Sequence, residues 1–247
     1  MRDGTGSAGR GDALTARGHL LALVQDGGLG PSGRLPAERA LCDRWGIGRR
    51  SLRRALDALE AEGLIWRQQG KGTFAGHPPD PTGLLAAGIV GETTPAEVME
   101  ARLCVEPVLA RLAAARATPD EIARLRGIAA RVMQAEDRDE TELWDGALHR
   151  RIATLAGNRP LLTAFAMLDE IRANPSWRGL RERARSPGTL RISDAQHHVI
   201  IDALAAGDGA AAEAAMRDHL ATLAGNLERL APAPATDNPP PAERDHA

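Results

Sequence analysis

Cysteine is scarce in this chain. Only Cys42 and Cys104 occur in 247 residues, both inside helical patterns, so neither a disulfide framework nor a cysteine-based zinc site has support. A reducing compartment suits such a composition. No apolar run approaches the roughly 20 residues of a membrane span, and the opening MRDGTGSAGRGD is too polar for a secretory leader. The expected location is the cytoplasm, with no membrane partner. Lysine is almost missing too: Lys71 is the only one among 31 basic residues, so most arginines must be compositional and a single arginine says little by itself. No internal repeat is found.

What is present bounds the rest. The hydrophobic fraction of 43% suffices for real cores, and 247 residues fit one large domain or two ordinary ones. The formal charge of −2 hides an asymmetry: residues 1–76 carry twelve basic against eight acidic side chains, and the remainder is acidic.

Gly and Pro mark the joints. A loose head over residues 1–12 leads into an apolar-periodic helix with Leu14, Leu20, Leu21, Leu23 and Val24, followed by the turn-rich GGLGPSGRLP. A short helix is predicted near residues 37–45. Gly46-Ile47-Gly48 then breaks the pattern before a third helix over residues 49–62, closed by Gly63. The residues LIWRQQGKGTF read as two short strands around a Gly-Lys-Gly turn. Prolines in HPPDPTG stiffen a linker, here drawn as residues 77–93 between a first domain (10–76) and a second (94–230). The second reads as an antiparallel helical bundle, with Leu-spaced segments near residues 95–116, 118–136, 139–156, 160–173, 190–207 and 209–230. The tail from residue 231 has the composition of a disordered segment.

The third helix carries chemistry. Leu52, Leu56 and Leu59 share one face, while Arg49, Arg50, Arg53 and Arg54 crowd the other side near its start. Four neighbouring cations repel one another unless something neutralises them. Phosphates do so, and arginine is also the commonest reader of guanine edges in the major groove; a solvated basic face is the bland alternative. Helix, turn, basic helix and a hairpin with Gly70, Lys71 and Gly72 at its tip together have the layout of a winged helix-turn-helix.

The run LPAERALCDRWGIGRRSLRRALDALEAEGLIWRQQGKGTFA (residues 35–75) closely resembles the DNA-binding domain of GntR-family bacterial transcription regulators. The resemblance implies that Arg39 clamps phosphate, that Arg49 and Arg53 face the operator with Arg50 beside them, that Ser51 reaches the DNA backbone, and that Gly70, Lys71 and Gly72 form the wing tip. Two departures stand out. Gly48 replaces the usual Ser or Thr, removing a side-chain cap, and Arg50 is bulkier and more charged than the usual residue.

The second region resembles the all-helical FCD effector domain of the FadR-like GntR subclass, in EVMEARLCVEPVLARLAAARAT (97–118), DGALHRRIATLAGN (145–158) and QHHVIIDALAAGDGAAAEAAMRDHL (196–220). Metal-containing members bring one Asp and three His from three helices to a divalent ion. The matching positions are Asp145, His149, His197 and His219. Residues four apart stand one helical turn above each other, so Asp145 and His149 can share an ion, although such a pair is often only a surface interaction. His198 points about 100° from His197; His197 is preferred because Ile201 and Leu204 share its face, and the two remain alternatives. An N3O donor set suits zinc, nickel or a similar ion, with a position left for a ligand. Leu148 departs from the family's Phe. By the same resemblance Arg102, in a Glu-x-Arg pattern, is the candidate grip for a carboxylate effector, such as a sugar acid or hydroxy acid; the alternative is an ordinary surface arginine.

A metal hydrolase needs a general base near the ion, and no motif places one; Glu142 is close in sequence, but its spacing from Asp145 is equally that of a solvated residue. An aminotransferase-like second domain would need more residues and strands. The expectation is therefore a mainly α protein, a winged helix-turn-helix followed by an FCD-like bundle, acting as a homodimeric repressor on double-stranded operator DNA and not as an enzyme. A regulator whose metal is purely structural is the second reading. If Arg49 and Arg53 read the operator, Arg49→Ala or Arg53→Ala should weaken specific binding by about 1–3 kcal/mol without unfolding the chain. Operator titrations at several salt concentrations check this, and unchanged affinity and salt slope in both variants would contradict it.

Overall fold

The computed structural model describes residues 5–25, 29, 33–76, 83–172 and 174–230. Helix α1 (Thr5–Gln25) starts inside the head that was expected to be loose. Once a helix is nucleated, each added residue gains a hydrogen bond, and the C-terminal half is anchored by buried Ala16, Leu20 and Leu23. It packs on α3 (Arg49–Ala61), whose buried face is Ser51, Leu52, Ala55, Leu56 and Leu59. Between them lies α2 (Glu38–Trp45), stopped where Gly46 turns left-handed (φ 65°) and its N–H bonds to Cys42 O.

Strands β1 (Ile65–Gln68) and β2 (Gly72–Ala75) pair antiparallel, from Ile65 opposite Ala75 to Gln68 opposite Gly72. Trp66 and Phe74, directly opposite each other, stack with ring centroids 4.6 Å apart. Gly70 (φ 76°) and Gly72 (φ 121°) supply the positive φ values of the tip. Arg34 bridges to Phe74, and Leu35 N–H donates to Thr73 O (2.9 Å), which ties the segment before α2 to the wing.

Seven helices follow α4 (Gly83–Ile89): α5 (Pro95–Ala114), α6 (Pro119–Gln134), α7 (Arg138–Leu155), α8 (Arg159–Arg172), α9 (Pro175–Ala184), α10 (Pro187–Ala205) and α11 (Gly209–Glu228). Local chemistry sets their starts. Thr94, Thr118, Asp137, Ser186 and Asp208 each accept from a first-turn backbone N–H, with full capping boxes at Thr94 and Ser186. In α5, Pro107 has no N–H to give Leu103 O, and that carbonyl accepts from Arg217 of α11 instead (3.5 Å). α5 packs along α11 and also touches α7, α8 and α10.

Two helices differ from expectation. α4 lies within the stretch drawn as a linker, and its Ala86 is buried with Val98, Ile171 and Trp177. α9 occupies a stretch to which no helix was assigned. Among its described residues only Trp177 is buried, with Leu180 and Ala184 partly so, which leaves too little apolar periodicity to read. Most of the proline stretch (77–82) and the tail (231–247) lie outside the described residues.

Candidate metal centre and nucleic-acid face

On the first half of the chain, Arg49, Arg50, Arg53 and Arg54 are all exposed along α3, opposite its leucines. Gly48 caps that helix with extended backbone (φ −71°, ψ 145°) and no side-chain hydrogen bond, as the residue type requires. Gly70, Lys71 and Gly72 are exposed at the wing tip. Arg39 is exposed on α2, 3.9 Å from Asp43. Arg53 already has a partner, Glu38 on α2 (3.0 Å), which fixes its direction between the two helices. Ser51 is set apart: it is buried, and its N–H donates to Gly48 O (3.0 Å). Arg34, which sequence reading passed over, lies against the wing; a Cβ on Gly72 would stand 3.0 Å from its Nε.

In the bundle, Asp145 and His149 on α7, His197 on α10 and His219 on α11 converge, with one ligand atom from each within 4.8 Å of the others. All four are buried, His197 and His219 completely. The imidazole centroids are 4.6–5.8 Å apart. His198 is exposed and its Nδ1 faces Asp194 O (2.9 Å), so it takes no part in the cluster.

The donor set fits a divalent ion on its own chemistry. Nε2 of His149, both nitrogens of His197 and Nε2 of His219 are buried without a hydrogen-bond partner, a costly arrangement unless something else uses the lone pairs. The opposite edges of two rings are held: His149 Nδ1 meets Glu106 Oε2 (2.5 Å), and His219 Nδ1 meets Gln196 Oε1 (3.1 Å), whose own NH2 donates to Thr222 Oγ1 (2.8 Å). Such outer partners orient metal-binding imidazoles and fix their tautomer. Burial, aided by the neighbouring His149, pushes His197 down to about 4 against the pull of Asp145. Burial and the other two imidazoles also depress His219. Both rings are thus neutral near pH 7, the form that ligates.

A charged network surrounds the cluster. Arg102 is buried, donates to Glu106 Oε1 (2.5 Å), and leaves Nη2 without a partner. Burial works to raise Glu106, but Arg102 and His149 win and hold it far below the usual carboxylate range. Asp145 is likewise depressed, its burial outweighed by Arg172 (3.0 Å) and the histidines. Glu142 is buried rather than solvated, because α9 and the turn after it bring Arg181 and Arg185 onto it, with Arg172 3.7 Å away. Its oxygens are thus already paired with guanidiniums. Arg181 keeps Nε and Nη1 buried and unpartnered, and burial together with the Arg172 cation lowers it to about 9. A cavity of about 50 Å³ opens here, lined by Arg102, Asp145, Arg181, Arg185, Thr189 and Ser193 among others. Glu106, Gln196, Arg172, Arg181 and Arg185 were not singled out from sequence; Glu106 and Gln196 do lie within the stretches that resemble the effector domain.

A basic helix and wing joined to a helical bundle around a buried polar site define a winged-helix DNA-binding regulator. Residues 13–75 match the bacterial regulatory proteins of the gntR family, and residues 97–222 match the FCD domain. The chain belongs to the GntR family, in its FCD-containing branch. It is 30% identical over 219 residues to the putative L-lactate dehydrogenase operon regulatory protein of Escherichia coli (strain K12), covering 85% of this chain and 83% of that protein. To the transcriptional repressor NanR of Salmonella newport (strain SL254) it is 31% identical over 225 residues, covering 85% and 83%. To the Glc operon transcriptional activator of Escherichia coli (strain K12) it is 26% identical over 217 residues, covering 84% and 85%. The chain is accordingly a DNA-binding transcription regulator and not an enzyme.

The neutral histidines have a consequence for the metal-free protein. His197 has a lower pKa folded than its ordinary 6.5, so the unfolded chain binds the extra proton first and stability falls as pH drops from about 6.5 towards about 4. Chelator-treated protein should lose on the order of 1–2 kcal/mol between pH 7 and pH 5, with His219 acting in the same direction. Urea melts at the two pH values measure it, and equal stability would contradict the burial of neutral rings.

Proposed function

We propose that the chain is a homodimeric repressor that holds one divalent ion, zinc or nickel or a similar ion, on Asp145, His149, His197 and His219, and releases operator DNA when a small carboxylate enters beside Arg102. The observation that carries this reading is the set of buried, unpartnered imidazole nitrogens next to a cavity into which an arginine with a spare N–H also faces. A bound ion would supply a Lewis-acidic centre for a carboxylate oxygen. The chain's own residues do the rest: Glu106 and Gln196 hold the rings, Arg172 holds Asp145, and Arg102 grips the acid. Arg39, Arg49, Arg50, Ser51, Arg53, Gly70, Lys71 and Gly72 are assigned to DNA; Ser51, buried and with its N–H on Gly48 O, acts by holding the first turn of α3 behind the arginines. Two-fold symmetry follows from the need to cover two half-sites.

The proline stretch that joins the two domains, residues 77–82, lies outside the described residues. A route for the signal among the described residues runs through Trp144, the fully buried neighbour of Asp145 on α7. The guanidiniums of Arg17 on α1 (5.5 Å) and Arg131 on α6 (4.9 Å) both lie over its ring. Both arginines also reach Glu62, the C-cap of α3, at 2.8 and 3.5 Å. A movement of α7 on acid binding therefore reaches the end of the recognition helix.

Elemental analysis of purified protein should find about one divalent ion per chain, and His149→Ala or His219→Ala should remove most of it. Hydroxy acids and sugar acids should weaken operator binding by the factor by which operator weakens acid binding. Full metal content in both variants sinks the ion site; metal without any acid response leaves the ion purely structural.

A further inference from the structure

Two arginines line the cavity with buried N–H groups that nothing accepts from: Arg102 at Nη2, and Arg181 at Nε and Nη1. They belong to different ion-pair systems. Arg102 is bound to Glu106 and through it to His149, on the histidine side. Arg181 belongs with Arg185 and Arg172 around Glu142, on the α9 side.

The charge balance points the same way. Around the cavity Arg102, Arg172, Arg181 and Arg185 stand against Glu106, Glu142 and Asp145, with Asp169 shared between Arg172 and Arg150, so the carboxylates do not outnumber the guanidiniums. Imidazoles ligate in the neutral form, so a divalent ion at the cluster leaves two positive charges uncompensated in a buried site. One carboxylate cancels half of that excess. Asp169 is already shared with Arg150, and Glu142 faces Arg172, Arg181 and Arg185 together, so neither carboxylate meets the remaining N–H groups of Arg181.

We infer that the effector is a short-chain dicarboxylic acid, with one carboxylate on the Arg102 side beside the ion site and the second on Arg181 and Arg185. This rests on the effector reading above and narrows it. A cavity of about 50 Å³ has room for only a few water-sized bodies, which favours a chain of about three or four carbons over a sugar acid. Ser193 also lines the cavity, as does Thr189, whose hydroxyl is held in the capping box with Ser186. Arg181 is then the residue that sets specificity: a buried guanidinium with spare donors rewards a second carboxylate and leaves a methyl group facing unmet N–H groups.

L-lactate and L-malate make the matched pair, differing by a carboxylate in place of one methyl hydrogen. Isothermal titration of the zinc-loaded full-length protein at fixed ionic strength should show malate binding at least tenfold tighter than lactate. Arg181→Gln should erase that advantage while changing lactate affinity less than threefold, and Arg181→Lys should retain part of it. Malate binding no tighter than lactate in the wild type overturns the inference, and that ratio decides alone should Arg181→Gln fail to fold. An advantage that survives in a folded, metal-loaded Arg181→Gln protein overturns it equally. Binding of neither acid by the wild type overturns this inference, and the carboxylate effector reading falls with it only if the sugar acids fail to bind as well.

Discussion

Four guanidiniums and four carboxylates are withdrawn almost wholly from water inside the bundle, and the surrounding helices are arranged so that none of these charges is left alone. Burying an unpaired charge is far costlier than burying a matched set. The pairing depends on helical spacing. Arg102 and Glu106 are four apart on α5, Glu142 and Asp145 three apart on α7, and Asp169 and Arg172 three apart on α8. Each helix thus presents two charges on one face. The turn after α9 adds Arg185, and α9 itself adds Arg181, so a helix with few apolar anchors is held in place partly by charge.

That origin explains what could be read in advance. The DNA-binding half was legible because its punctuation is local: Gly46, Gly63, the Gly70-Lys71-Gly72 tip and the leucine spacing of α3 each act within a few residues. The histidine cluster was legible through the four-residue step from Asp145 to His149 and two further histidines in a resembling pattern. Its surroundings were not. Glu106 meets His149 across 43 positions and Arg172 meets Asp145 across 27, and in a chain with a single lysine an individual arginine hardly stands out. The same excess conceals α9, and α4 reads as linker because it sits beside the prolines with Ala86 the one buried side chain among its described residues.

Trp144 connects the two halves in a way that sequence order conceals. Two guanidiniums attract its ring, and the carboxylate of Glu62 pairs with both and offsets their mutual repulsion. A carboxylate at the last turn of a helix meets the negative end of the helix dipole, and here two guanidiniums from outside the helix offset that repulsion. The recognition helix therefore depends for a settled C-terminus on residues from α1 and α6, one in each half of the chain.

Its other end is bare. With glycine at position 48, no side chain occupies the approach to the first turn of α3, and open space surrounds the point where a Cβ would be. The free protein forgoes little, since glycine trails the best capping residues by only a few tenths of a kcal/mol. A phosphate arriving there would meet backbone N–H groups directly, at the positive end of the dipole and between arginines. The missing cap thus leaves the start of α3 open: an anion bound there would complete the first turn and order it.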